Sequence, residues 1–160
     1  MSADRPKNYT TNIRARQTAN ECVDLLADAG ADHVALAMIG KQPAGLSFRL
    51  NTPYGPRDFR LPVNTEGMHK RLIVARDCGE FDSLHTTTAK LDRYTSAEHA
   101  ADVAWRVARD WLAATVALVQ AEMTTMSEAF SGQRVLDDGR TVAEAIRERD
   151  AVPELEGTNR

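Results

Sequence analysis

Three strand-like runs that follow one another closely constrain the fold of this 160-residue chain more than any other feature. In residues 33–39, 46–52 and 58–63 the side chains alternate in character, and a period of two is typical of a strand with one buried face. The connections between these runs, residues 40–45 and 53–57, are rich in glycine and proline and favour turns. Because connections this short join antiparallel neighbours, the sequence predicts an antiparallel meander.

The alternation also separates an apolar face of the meander from a polar one. Leu46, Phe48 and Leu50 point one way in the second run, and Phe59 and Leu61 do so in the third. Antiparallel sheets commonly bury one face and leave the other in water. We therefore interpret both phenylalanines as core residues rather than as platforms for stacked bases.

Helices are predicted on both sides of the three runs. Residues 14–29 and 64–79 carry apolar side chains at helical spacing. Residues 9–13 are rich in β-prone side chains and predict a further short strand. The resulting order is β-α-β-β-β-α, an α+β fold in which an antiparallel meander of three to four strands packs on two helices.

The second half of the chain is predicted to be helical. A capping-box spacing, Thr95 with Glu98, introduces the longest helical pattern, which reaches about residue 122. A helix of about 27 residues is roughly 40 Å long, whereas a seven-residue strand spans about 23 Å. The long helix therefore needs cover from more than the sheet. Two more capping-box spacings begin at Thr125 and Thr141 and predict short C-terminal helices.

These patterns divide the chain into four parts. Residues 1–78 are predicted to form a sheet domain, and residues 79–95, which lack a clear period, are interpreted as a linker. Residues 96–150 are predicted to form a helical extension that packs on the sheet domain or on another subunit. The polar residues 151–160 are predicted to be a frayed tail.

The long helix carries large apolar side chains on more than one side. Trp105 and Trp111 are six residues apart, which corresponds to about 240° around a helix. One explanation is packing within the chain. The other is a homo-oligomer interface, where aromatic anchors are favoured. That interface would contain Trp105, Trp111, Leu112 and Leu118.

The chain has no motif typical of catalysis, metal binding or phosphate binding. Its four histidines and two cysteines lack the spacing of metal sites, and no glycine-rich phosphate loop is present. Cys22 lies on the apolar face of the first predicted helix, where an unreactive buried thiol is expected. We expect no catalytic residue, metal or cofactor, and an enzyme with a dispersed site remains a third hypothesis.

Basic residues concentrate between positions 41 and 76, where seven basic residues stand against two acidic ones in a chain of formal net charge −3. A basic surface with an aromatic side chain favours non-specific contact with nucleic acid. The residues assigned to this contact are Lys41, Arg49, Tyr54, Arg57 and Arg60. The alternative is a solvated or protein-facing surface, because charges on exposed sheets also prevent aggregation.

Four segments of the chain carry a family resemblance. They are residues 7–13 (KNYTT-x-I), 44–49 (AGLSFR), 59–63 (FRLPV) and 103–118, which contains VAWRV, DW and AL. Together, over residues 7–146, they resemble small proteins encoded by bacteriophages and by prophage-like bacterial segments. The resemblance implies an accessory protein in the cytoplasm of a bacterial host cell, and it assigns no catalytic residue.

One function and one alternative follow from these observations. The expected function is that of a non-catalytic phage-type accessory protein, which binds DNA or RNA without base specificity through the basic sheet face and assembles as a homo-oligomer. The alternative is an interaction module that self-assembles or binds a protein partner, with no nucleic-acid role. No apolar run approaches the ~20 residues of a membrane span, and no signal-peptide pattern is present. We therefore expect a cytoplasmic protein with no membrane partner.

Overall fold

The computed structural model describes residues 5–151, and the predicted α+β class is confirmed in this range. Most of the predicted frayed tail, residues 152–160, lies outside the described residues. The elements are α1 (Ala15–Asp28), β1 (His33–Ile39), β2 (Gln42–Thr52), β3 (Gly55–Arg60), α2 (Thr65–Asp77), α3 (Thr88–Tyr94), α4 (Ala97–Gln120), α5 (Met126–Ala129) and α6 (Val142–Ala151).

The three strands form the predicted antiparallel meander, in the order β1-β2-β3. Gly40, whose φ is +60°, begins the two-residue turn between β1 and β2, where a positive φ at the first position favours glycine. Pro53 and Tyr54 form the turn between β2 and β3, and Gly55 follows with a φ of +93°. Phe48 lies opposite Phe59, and their rings stack at 5.5 Å. Both are buried, which confirms them as core residues.

The strand predicted at residues 9–13 is wrong. The backbone turns there, because the N–H of Tyr9 bonds to Pro6 O at 3.2 Å and that of Thr11 to Asn8 O at 2.9 Å. The Tyr9 ring packs on Phe81 at 5.3 Å, away from the sheet. The contacts of Tyr9 with Phe81 and Tyr94 thus outweigh the β propensity of this segment.

The long helix α4 lies at the centre of the molecule. One apolar cluster joins the sheet and α1 to Trp105, Leu112 and other residues of α4. A second cluster joins α2 to Ala100 and Val103 on the same helix. The additional cover that the length of α4 requires therefore comes from helices of its own chain. The second helix of the first half packs on α4 rather than on the sheet, which differs from the predicted arrangement.

Aromatic side chains give structure to the segment interpreted as a linker, residues 79–95. Phe81 and Tyr94 are buried, their rings lie 6.1 Å apart, and α3 occupies residues 88–94. Too few apolar residues are present in this segment to set up a helical period in the sequence. The structure thus contains a short helix where no pattern indicated one.

Two of the three predicted capping boxes are confirmed. Thr125 and Glu128 exchange both capping hydrogen bonds at the start of α5. Thr141 and Glu144 do the same before α6, at 2.7 and 3.2 Å. The long helix is instead capped one residue later than predicted, because Ser96 rather than Thr95 accepts the hydrogen bond of the cap.

Candidate functional site

We call the face of the sheet that carries Arg49, Asp58 and Arg60 the outer face. Arg49 lies directly opposite Asp58 and donates two hydrogen bonds to its carboxylate, at 2.7 and 3.1 Å. This hydrogen-bonded pairing holds the pKa of Asp58 below its ordinary value and raises that of Arg49. Two donors of this guanidinium are therefore already engaged by a carboxylate, which competes with any phosphate for them.

Arg60 is also engaged within the chain. Its guanidinium donates to Gly139 O at 2.8 Å and lies 3.6 Å from the Glu144 carboxylate. Asn51, also on the outer face, bonds to the carboxylate of Asp32. Both arginines that the sequence analysis placed on this face thus have an acidic side chain beside them. The outer face is therefore not the basic surface that was predicted.

The remaining predicted residues lie at two ends of the sheet. Lys41 is in the turn before β2, and Tyr54 is in the turn after it. The eleven residues of β2 span about 35 Å at about 3.3 Å per residue. The five predicted residues therefore do not form one continuous contact surface.

Arg57 lies in β3 rather than in the preceding turn, because the strand begins at Gly55. It pairs with Leu50 and shares the face of Phe59, since directly opposite and alternate residues point the same way. We call this face, which carries the buried Leu46, Phe48 and Phe59, the inner face. Sequence alternation alone missed this position because it started the strand too late.

A cleft of about 1160 Å³ opens at the end of the inner face that is nearest the β2–β3 turn. One wall comes from β2, β3 and their turn, and the other from the segment that contains α5. The side chains used below are Leu50, Tyr54, Arg57, Phe59, Met126 and Arg134. We call this site the Tyr54 cleft. Tyr54 is 85 % exposed at its rim.

Arg134 is a residue of the Tyr54 cleft that sequence analysis did not single out. It forms an isolated antiparallel bridge with Phe59, and the next residue, Val135, donates to Asp58 O at 2.8 Å. Arg134 therefore shares the inner face with Arg57, as its diagonal neighbour across the bridge. Such diagonal neighbours are about 7–8 Å apart. No local pattern indicates that residues 134–135 line the edge of β3.

The two arginines give the Tyr54 cleft a positive charge. Within residues 5–151, neither Arg57 nor Arg134 has an acidic partner, and Arg57 donates only to Pro56 O, at 2.9 Å. Glu128 also lines the cleft, but its carboxylate accepts the Thr125 N–H at 3.1 Å as part of the capping box. The cleft therefore contains two guanidiniums without a carboxylate partner and one carboxylate, that of Glu128, which is hydrogen-bonded within the capping box.

The predicted interface residues of α4 separate into two groups. Trp105 and Leu112 are fully buried in the core of their own chain, and Trp105 Nε1 donates to Pro43 O at 3.2 Å. The interface prediction is wrong for these two, because neither has side-chain surface left for a partner. Trp111 and Leu118 are 38 % and 46 % exposed, and for them it stays a prediction.

A polar pocket between α1 and α4 contains the buried side chains of His99 and Asp102. Asp102 accepts the N–H of Ala15 at 2.7 Å, and His99 Nε2 contacts Tyr9 O at 2.5 Å. Both side chains thus have hydrogen-bond partners in the backbone. These structural contacts account for their burial, and no catalytic role is needed to explain it.

Two further findings concern groups that could react or bind a metal. Burial raises the pKa of the Cys22 thiol to about 12, which disfavours a reactive thiolate. Within the described part of the chain, no group of three or more His, Cys, Asp and Glu side chains could hold a metal ion.

Comparison with protein-family models, curated proteins and solved structures finds no match. No helix within residues 5–151 combines the length and the apolar character needed to cross a bilayer.

Proposed function

We propose that this chain is a non-catalytic, phage-type accessory protein that binds single-stranded nucleic acid in the Tyr54 cleft. The observation that carries the proposal is the pair Arg57 and Arg134. Both side chains lie on one face beside an exposed tyrosine, and neither has an acidic partner in the described chain. The proposed contact surface is thus the end of the inner face, and Arg49 and Arg60 have no part in it.

The spacing of the two arginines supports contact with a phosphate backbone. Diagonal neighbours on one sheet face are about 7–8 Å apart, so two long side chains can reach one phosphate or two consecutive ones. Arginine offers a planar set of donors that matches phosphate oxygens. Contacts of this kind follow the backbone and do not distinguish bases.

The aromatic and apolar residues of the cleft favour a single strand over a duplex. Tyr54 stands at the turn tip with its ring open to solvent, where an unstacked base can lie against it. Leu50, Phe59 and Met126 supply apolar lining behind it. A base can lie against the exposed Tyr54 ring only when it is free of its own duplex stack.

The test is a binding titration of labelled single-stranded and duplex oligonucleotides over a range of salt concentrations. Wild-type protein is expected to prefer the single strand, with affinity that falls as salt rises. The variant Arg57→Gln with Arg134→Gln should lose most of the binding. Each single-strand phosphate contact contributes about 0.7 to the slope of log affinity against log salt, so the slope should flatten by about 0.7 if the arginines share one phosphate and by about 1.4 if they contact two. Tyr54→Ala should weaken binding by about 1–3 kcal/mol.

The matched control replaces the two arginines of the outer face, Arg49→Gln with Arg60→Gln. It removes the same charge from the same sheet, and it is expected to bind almost as wild type does. If this control loses binding while the cleft variant keeps it, the contact is the outer face and our proposal is wrong. If the wild type binds no oligonucleotide even at low salt, the alternative of an interaction module replaces it.

A further inference from the structure

The edge of the sheet formed by β1 has no partner within residues 5–151. Only β2 pairs with β1, so the backbone N–H and C=O groups on its other side have no strand beside them. The opposite edge differs, because Arg134 and Val135 line β3. An unpaired edge offers a template for another strand.

The sequence of β1 lacks the protective residues that normally prevent such pairing, and the bulge beside Ala37 and Met38 has its extra residue, Ala44, in β2. Its seven residues, HVALAMI, include no lysine, no carboxylate and no proline. The last two residues of β1 are large apolar side chains that remain open to solvent: Met38 is 40 % and Ile39 is 77 % exposed. By contrast, β3 carries Arg57, Asp58 and Arg60. Natural proteins usually protect an exposed apolar edge with charge, proline or cover.

We propose that β1 pairs antiparallel with β1 of a second copy of this chain, to give a two-fold symmetric dimer with a continuous six-stranded sheet. The sequence of β1 is self-complementary about Leu36. A register centred there places Val34 opposite Met38 on the inner face and Ala35 opposite Ala37 on the outer face. Apolar side chains thus meet apolar ones, and small side chains meet small ones.

The absence of Asp, Glu, Lys and Arg from β1 favours a second copy of β1 as its partner over another strand of this chain. β1 carries no Asp, Glu, Lys or Arg, so a charged strand would lose solvation of its charges without gaining a partner for them. Among the described strands, β1 itself is the one without such a charge. A self-complementary patch closes on itself through a two-fold axis.

The proposed dimer is independent of the nucleic-acid proposal. β1 and β3 are opposite edges of the sheet, so pairing through β1 leaves the Tyr54 cleft of each copy open. The dimer also does not use Trp111 and Leu118 of α4, which were predicted from the sequence as interface residues.

The test is the mass in solution of protein without nucleic acid, measured by light scattering over a wide range of concentration. Wild type is expected to approach twice the chain mass of 17.6 kDa. Ala35→Lys with Ala37→Lys replaces two exposed residues and, in the proposed register, brings four ammonium groups together. This variant should stay at one chain mass, with an unchanged circular dichroism spectrum.

The matched control is Ala114→Lys with Ala117→Lys, which makes the same change at exposed positions of α4. It is expected to remain a dimer. A monomeric wild type, or a dimer that the α4 variant dissociates and the β1 variant does not, would overturn the proposal. Should the β1 variant fail to fold, hydrogen exchange of the wild-type protein tests whether β1 forms the interface. Protection of β1 amides must rise with protein concentration, and a dimer without that rise contradicts the β1 interface.

Discussion

At the scale of single residues, Asp102 shows how one helix can cap another. Arg14, at the cap position of α1, makes no capping hydrogen bond through its side chain. Asp102, from α4, accepts the buried N–H of Ala15 at 2.7 Å instead and contacts Arg14 at 3.3 Å. A carboxylate at this end of a helix also interacts favourably with the helix dipole.

Asp102→Ala is expected to destabilise the protein by about 1–3 kcal/mol, because it leaves the buried amide of Ala15 without an acceptor. Asp102→Asn keeps an acceptor oxygen and should recover much of this loss. Urea unfolding measures both. Glu98→Gln is the control, since the exposed Glu98 pairs with the same Arg14 at 2.9 Å and should change stability little. Equal stability of Asp102→Ala and wild type would contradict the capping role.

Trp105 and Trp111 illustrate what spacing can and cannot predict. Their separation in sequence correctly indicates that they lie on different sides of α4. Which side is buried depends on what packs there, and the sequence alone gave no such information. Trp105 is covered by the sheet and α1, whereas Trp111 keeps part of its surface and contacts Phe130 at 5.1 Å.

At the scale of elements, the sequence predicted those helices and strands that carry a local signal, such as alternating side chains or a capping box. Alternation placed β1 at the correct residues, and capping chemistry placed the starts of α5 and α6. The strand at residues 9–13 was wrong because the packing of Tyr9 on Phe81 and Tyr94 outweighs the β propensity of the segment. α3 was missed because its burial rests on one residue, Tyr94, rather than on a repeated apolar stripe.

The start of α6 is predicted to loosen in acid. The Thr141 backbone N–H and then the charge of Arg60 hold the pKa of Glu144 below its ordinary value. The ionised form is thus favoured in the folded state. Its stabilisation is complete above the ordinary pKa of a glutamate and is lost as the pH falls through the lowered value.

Hydrogen exchange of residues 141–146 at descending pH, after correction for intrinsic rates, measures this loosening. Glu144→Ala, which removes the acceptor of the Thr141 N–H, should show it already at neutral pH and should lack the pH dependence. Exchange in α1, which is distant in sequence and belongs to the first apolar cluster, provides the internal reference. Protection of α6 that is independent of pH in wild type would contradict the role of Glu144.

At the scale of the whole molecule, α4 links the two apolar clusters. Leu26 of α1 lies in the cluster with the sheet, and Leu72 of α2 lies in the other, yet both clusters include residues of α4. We expect one cooperative unfolding transition rather than separate ones for the predicted parts 1–78 and 96–150.

Leu26→Ala and Leu72→Ala test this cooperativity. Each removes a fully buried leucine and should cost about 2–5 kcal/mol. Both should lower the midpoint of the same transition when tryptophan fluorescence and far-ultraviolet circular dichroism follow denaturation together. Two transitions, each sensitive to one variant, would contradict the single cooperative unit.

The candidate site could be predicted only in part from the sequence. Tyr54 and Arg57 were singled out by their place in a basic, turn-rich region, and both line the cleft. Arg49 and Arg60 were misjudged because their acidic partners lie across strands or far along the chain. Arg134 was missed because its position beside β3 depends on a long-range bridge.

Photochemical cross-linking tests the central claim, the Tyr54 cleft as the nucleic-acid site, most directly. A single-stranded oligonucleotide that carries a photoreactive base is irradiated with wild-type protein, and the cross-linked peptide is identified by mass spectrometry. We predict attachment at Tyr54 or at its neighbours in the β2–β3 turn, and its loss in the variant Arg57→Gln with Arg134→Gln. Attachment on the outer face around Arg49, undiminished in that variant, would contradict the account.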